Sequence, residues 1–144
     1  PVWKTLEVVS FGTLSKLFCL FKDNRLKKQV AREFGLSQYT YLESWIRCIT
    51  VLRNCCAHHA RIWNRRFALK PQLPNWLPLH WITSSQKPIK LYHQLCTLLY
   101  LEQTITPCMD LKSSLFKLFA EYPNVDLHAM GFPQGWENEP LWRL

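Results

Sequence analysis

Residues 37–60, SQYTYLESWIRCITVLRNCCAHHA, decide the fold class of this 144-residue chain. The apolar positions in this stretch recur at the 3.6-residue period of an α-helix, at Leu42, Trp45, Ile46, Ile49, Leu52 and Cys56. The pattern predicts one long amphipathic helix that begins at Ser37 and continues to about Ala60.

Shorter helices are predicted on both sides of this stretch. Residues 5–21 have helical periodicity with an interruption at Gly12, and a second helix is expected to begin at Asp23 or Asn24 and end at Gly35. Its expected buried face is Leu26, Val30 and Phe34. Two further helices are predicted over about 88–102 and 109–121.

A change of composition separates these two groups of helices. Four prolines, at positions 71, 74, 78 and 88, prevent a continuous helix, while the many apolar residues between them favour an ordered loop. The irregular tail carries Trp136 and Trp142, which we expect to hold it against the body. The fold class is therefore all-α: one helical-bundle domain over 1–144, with a core signature in 1–70, a proline-rich ordered loop in 71–88, and C-terminal helices and a tail in 89–144. We expect this domain to be the C-terminal part of a longer protein.

The positive charge is concentrated in the middle of the sequence. The net charge is +8, and the interval between Glu43 and Glu102 contains eight lysines and arginines and no carboxylate. Such a segment attracts polyanions, and guanidinium groups suit phosphate because each can donate two hydrogen bonds. Four aromatic residues there are candidates for stacking on unpaired bases: Trp63, Trp76, Trp81 and Tyr92. A solvated basic face with core aromatics explains the same composition equally well.

The six cysteines indicate a reducing compartment. Several of them lie within apolar helical patterns, and no signal peptide precedes them, so we expect reduced thiols and a cytoplasmic protein. No apolar run approaches the length needed to cross a bilayer, and no membrane partner is expected.

A dense polar cluster occupies residues 53–66, RNCCAHHARIWNRR. Asn54 and His58 are four residues apart and share one face of a helix. Arg53 lies about 140° away from His58 on an ideal helix. The two side chains can converge if the helix ends or bends near His58, or if a second copy of the chain supplies the opposing half.

The string from Arg53 to His58 resembles the signature of the HEPN ribonuclease superfamily, in which an arginine and a polar residue precede a histidine. The longer string around it resembles one branch of this superfamily, the Abi-like proteins of bacterial abortive infection. The residues that carry this resemblance are 52–54, 57–58 and 63–65. Residues 11–15, FGTLS, and 1–3, PVW, extend the resemblance, which covers about residues 1–70. Abi-like proteins normally have a further helical region before the Pro-x-Trp segment, which this sequence lacks, and we expect a truncated bundle to expose apolar surface or to lose activity.

The resemblance implies a metal-independent endoribonuclease that acts in phage defence or as a toxin and needs no cofactor. His58 would be the acid or base, Arg53 would stabilise the phosphate, and Asn54 would orient His58 or bind the phosphate. The residues expected to bind RNA are Arg61, Trp63, Asn64, Arg65 and Arg66. HEPN proteins pair with their signatures facing, which implies a homodimer, and an inhibitory protein or RNA is an expected further partner.

Other interpretations of the same residues stay open. Arg53 and His58 can be cations that favour the end of a helix, and the chain can be a non-catalytic module that binds RNA or a partner. Cys55 and His59 are spaced to share a zinc ion, but no familiar second ligand pair accompanies them, and buried cysteines explain Cys55 and Cys56 more simply. A Cys-His nucleophile fits less well still. Trp63 and Asn64 also have a structural interpretation, in which the indole packs and Asn64 ties the following turn.

Overall fold

A computed structural model of the chain describes residues 2–83, 89–106 and 110–143. It contains six α-helices within these ranges: α1 (Val2–Val8), α2 (Phe11–Leu20), α3 (Asn24–Glu33), α4 (Tyr39–Ala57), α5 (Leu91–Ile105) and α6 (Leu111–Glu121). The described ranges contain no strand, so the all-α prediction is confirmed. Pro1, Lys87, Pro88 and Cys108 lie outside the described residues.

Helix α4 organises the fold, as its long apolar period predicted. Helices α2, α3 and α5 all pack against it. Leu42, Trp45 and Leu52 are buried along α4, and the Trp45 ring stacks on Trp81 at 5.3 Å. The Trp45 indole nitrogen also donates to the carbonyl of Gln72 at 2.7 Å, which joins the helix to the loop that follows it.

The break within the first helical stretch was predicted at Gly12, which is the wrong residue. The chain breaks at Ser10, whose hydroxyl accepts from the Thr13 amide and caps α2. Gly12 lies inside α2, where an added Cβ would sit 3.4 Å from the Thr50 methyl group. The glycine therefore lies next to Thr50 of α4 and does not end a helix.

The predicted ends of α3 are confirmed, but its predicted buried face is wrong at Leu26 and Val30, whereas Phe34 packs on the core cluster as predicted. Asp23 caps the start by accepting from the Arg25 amide, and Gly35 adopts the left-handed conformation after the end, with φ +67°. The buried residues are Lys27 and Ala31, whereas Leu26 and Val30 are 50% and 42% exposed.

The burial of Lys27 has a physical cause. Its ammonium group donates to Glu43 Oε1 at 2.6 Å and to the Cys19 carbonyl at 2.7 Å. A buried charge needs such partners. This ion pair turns Leu26 and Val30 away from α4.

Helix α2 carries apolar side chains on two faces. Phe18 packs on the core cluster, while three residues of the same helix and its C-cap residue are more than a third exposed: Leu14, Leu17, Leu20 and Phe21. Because α2 packs on α4 through one side only, its other apolar side chains remain exposed. These four residues are here called the free face of α2.

The described part of the proline-rich segment, residues 71–83, forms neither helix nor strand and lies against the body. Pro71, Leu77, Trp81 and Ile82 are buried, and the Trp81 indole donates to the Pro74 carbonyl at 3.0 Å. The Phe67 amide donates to the Ile89 carbonyl, which brings the two ends of the segment together.

The tail is held by an aromatic cluster, as predicted. Trp136 and Trp142 are buried and contact each other edge to face at 5.0 Å, and Tyr92 of α5 stacks on Trp142. Two short 3₁₀ turns, His128–Met130 and Trp136–Asn138, position these rings.

Candidate functional site

The carboxyl end of α4 places His58 at the boundary between a helix and a loop. The helix ends at Ala57, not at Ala60, and His58 is its C-cap with φ −98°. His59 follows in the left-handed conformation with φ +50°, and its amide donates to the Cys56 carbonyl while the Ala60 amide donates to the Cys55 carbonyl. This pair of bonds is the Schellman motif, which ends helices that reach a left-handed residue.

Arg53 and Asn54 meet within this last turn. Arg53 Nη1 donates to Asn54 Oδ1 at 3.3 Å, and both side chains are exposed. Asn54 is joined to His58 through the main chain, where the Asn54 backbone carbonyl accepts from the His58 amide at 3.0 Å in the ordinary helical bond. The three predicted catalytic residues therefore lie on one exposed helix end, with Asn54 as the neighbour that the other two share.

Cations near this end of α4 are favoured by its partial negative charge. Arg53 lies four residues before the end of the helix, Arg61 follows the end of the helix by four residues, and both are exposed. The helix ends at Ala57, directly before His58. A helix end at this point is the condition under which Arg53 and His58 of the same chain can converge.

Two left-handed residues lie within or just before residues 61–66, the segment that carries the predicted RNA-binding side chains. His59 is the first and Asn64, with φ +49°, is the second. Arg61 and Arg65 lie after the end of α4 and do not extend the face of the helix that carries Asn54. His59 also follows the end of the helix and is exposed.

Lys90 ties this loop to the start of α5. Its ammonium group donates to Asn64 Oδ1 at 2.6 Å, so Asn64 does connect the turn to another element. Sequence reasoning did not assign a role to Lys90, and its membership of the carboxylate-free interval was the only signal that singled it out.

The five predicted RNA-binding residues are all exposed: Arg61, Trp63, Asn64, Arg65 and Arg66. Trp63 is 41% exposed, and the Arg65 guanidinium lies over the Phe67 ring at 5.9 Å. Among the aromatic residues considered for stacking, Trp76 is 76% exposed, whereas Trp81 and Tyr92 are buried in the core. The prediction that Trp81 and Tyr92 are available to bases is therefore wrong.

The cysteines and histidines do not form a ligand set in the described ranges, where no three His, Cys, Asp or Glu side chains are placed to hold a metal ion. The zinc interpretation gains no support from them. Cys55 is buried and Cys56 is exposed, so only Cys55 behaves as the predicted small core residue. All five described cysteines are free, and burial raises the pKa of the Cys48 thiol to about 11, which keeps it protonated at neutral pH.

The fold and site define an all-α protein with an exposed Arg-Asn-His cluster at the end of its central helix. Residues 1–64 match the family model of the Abi-like proteins, and this range contains all three residues of the cluster. The match supports an Abi-like assignment of the N-terminal part of the chain. No curated protein matches the chain. No solved structure matches it either. Among the described residues, none of the helices combines the length and the apolar character that crossing a membrane requires.

Proposed function

We propose that this chain is a HEPN-type endoribonuclease that cleaves RNA without a metal ion and acts in abortive infection or a related toxin-like response. The observation that carries the proposal is the clustering of Arg53, Asn54 and His58 at the exposed end of α4. The match of residues 1–64 to the Abi-like proteins supports the link to phage defence.

The proposed reaction is transesterification at phosphorus. A base removes the 2′-hydroxyl proton, the 2′-oxygen forms a bond to phosphorus, and the bond from phosphorus to the 5′-oxygen breaks. An acid protonates the leaving 5′-oxygen, which yields a 2′,3′-cyclic phosphate and a 5′-hydroxyl. No water or metal ion is needed for this step.

His58 suits the acid or base role because imidazole exchanges protons near neutral pH and its exposed position leaves it accessible to RNA. Arg53 carries a permanent charge that can bind the phosphate oxygens as negative charge develops on them. Asn54 accepts from Arg53, and this bond holds the guanidinium beside the helix end.

A reaction with separate acid and base is easier when two histidines are available. We propose that the active form is a homodimer in which the second copy brings its own Arg53 and His58 to face the first pair. The free face of α2 supports self-association, because four large apolar side chains there lack cover in a single chain.

RNA would reach the site along the loop after α4. Arg61, Arg65 and Arg66 are exposed. The sequence interval to which they belong contains no carboxylate that would repel phosphate. Trp63 offers a partly exposed ring for stacking on an unpaired base. An inhibitory protein or RNA that covers this surface would restrain the enzyme until it is needed.

The test is cleavage of total RNA and tRNA in EDTA by wild-type protein and by His58→Ala and Arg53→Ala. We expect losses of about a hundredfold or more in each variant. His80→Ala and Arg25→Ala are matched controls, because they remove an exposed histidine and an exposed arginine from other parts of the chain. Each variant is first checked for wild-type helicity and oligomeric state.

Equal activity in all five proteins would point to a contaminating nuclease and contradict the proposal. The alternative is a non-catalytic module that binds RNA or a partner, which the exposed arginines of residues 61–66 favour. That alternative predicts RNA binding without cleavage, and binding that weakens in Arg61→Ala and Arg65→Ala but not in His58→Ala.

A further inference from the structure

A cavity of about 310 Å³ lies between α5, α6 and the loop after α4. Its wall includes Ile62 and Trp63 from the loop, Leu95 from α5, and Leu115 and Phe119 from α6. None of the described residues that line it is charged, and the polar side-chain atoms in the wall are the Trp63 indole nitrogen and the Tyr122 hydroxyl.

The cavity exists because α6 does not close against α5. None of the residues of α6 is fully buried, although Leu111, Leu115, Phe116 and Phe119 all pack on the core cluster. Leu118 and Tyr122 remain about half exposed at the cavity mouth. An apolar space of this kind is poorly occupied by water, because water needs polar partners.

We infer that this cavity binds a small anionic amphiphile, with an unbranched acyl chain in the cavity and a carboxylate at its mouth. The volume sets the length of the chain: a liquid-like volume of roughly 30 Å³ per methylene, similar to that of water, gives about ten carbons. A nucleobase fits the volume but not the wall, which offers few donors or acceptors to the polar edge of a base.

The Lys90 ammonium favours an anionic head on the loop side. The Lys90 side chain passes close to Gly131, which follows Met130 of the wall, and its ammonium donates to Asn64, which follows Trp63 of the wall. The ammonium has further donors for a carboxylate.

Occupation of the cavity acts on the loop that carries the exposed arginines. Trp63 forms part of the wall and lies in the loop enclosed by the left-handed residues His59 and Asn64. A bound chain packs against Trp63 and holds this loop in one position. The site is thus a means by which a small lipid-like molecule controls the surface beside His58.

The test is calorimetric titration of the full chain with hexanoate, octanoate and decanoate, all below their micelle-forming concentrations. We expect affinity to increase about tenfold or more for each two methylenes, because each buried methylene adds a constant increment. Decylammonium is expected to bind at least tenfold more weakly than decanoate. The titration uses no RNA, so its result is independent of the cleavage proposal.

Leu115→Trp fills the cavity and should weaken decanoate binding at least tenfold. Leu26→Trp, which makes the same change at a half-exposed leucine of α3, should leave it unchanged. If Leu115→Trp fails to fold, Lys90→Met provides the second test: it should remove the preference for decanoate over decanol. Affinity that does not depend on chain length, equal binding by both tryptophan variants, or binding only to vesicles of anionic phospholipid would overturn the inference.

Discussion

The Lys90 ammonium donates to Asn64 Oδ1 at 2.6 Å, and this bond joins the start of α5 to the loop that follows the candidate catalytic helix. Asn64 is held in the left-handed conformation, with φ +49°. Asparagine tolerates this conformation better than most residues, because its short polar side chain forms local hydrogen bonds.

Two replacements of Asn64 separate the contribution of its bond to Lys90 from that of its left-handed backbone to the free energy of unfolding. Asn64→Ala loses the bond to Lys90 and places alanine in a conformation that it disfavours, and it should lower the free energy of unfolding by about 2 kcal/mol. Asn64→Gly loses only the bond and should lower it by about 1 kcal/mol. Urea unfolding measures both values, and equal losses in the two variants would show that the left-handed backbone contributes nothing.

His59→Gly should stabilise the protein. A left-handed residue after a helix costs a histidine roughly 1 kcal/mol, and glycine accepts this conformation without a steric penalty. We expect the free energy of unfolding to rise by about 0.5–1 kcal/mol, measured by urea or thermal unfolding. His58→Gly is the matched control: with φ −98° it gains nothing from glycine and should be less stable than wild type.

His93 makes stability depend on pH in the mildly acidic range. Its side chain is 1% exposed, it lies edge to face with the Tyr92 ring, and burial lowers its pKa from 6.5 to about 4. The unfolded chain therefore takes up a proton at higher pH than the folded chain. The stabilisation is complete above about pH 6.5 and is lost progressively as the pH falls to about 4, by about 3 kcal/mol in all.

The comparison of wild type with His93→Leu isolates this effect. Urea unfolding at a series of pH values between these limits should give a smaller slope of stability against pH for the variant. The difference in slope approaches about 1.4 kcal/mol per pH unit. The same slope in both proteins would show that folding does not lower the pKa of His93.

The free face of α2 predicts self-association. If two copies associate through it, Leu17→Glu places a charge in the contact and should weaken the dimer by about a hundredfold or more. Sedimentation equilibrium measures the dissociation constant. Lys16→Glu, a neighbouring exposed position, should have a much smaller effect. A wild-type protein that stays monomeric at high concentration would contradict both this prediction and the proposed dimeric active site.

The helices were predictable because hydrophobic period and capping residues act locally. Asp23 and Gly35 define α3 in the sequence and in the structure. The rotation of that helix was not predictable, because Lys27 is buried by a partner sixteen residues away, Glu43, and no local pattern distinguishes this arrangement from one that buries Leu26.

The candidate site, too, was predictable only in part. The sequence placed Arg53, Asn54 and His58 near one helix end, but the left-handed conformation of His59 depends on how the Schellman motif closes. Composition also could not separate Trp63, which faces solvent and the cavity, from Trp81, which stacks on Trp45 in the core.

Temperature should change the stability of a dimer that forms through the free face of α2. Apolar surfaces associate less strongly on cooling, since the driving force for their burial weakens in the cold, and excluded salts such as sulfate strengthen it. A dimer held by Leu14, Leu17, Leu20 and Phe21 would therefore dissociate on ice and form again on warming. A cleavage assay assembled in the cold would then show a lag before the steady rate, and added sulfate would shorten that lag.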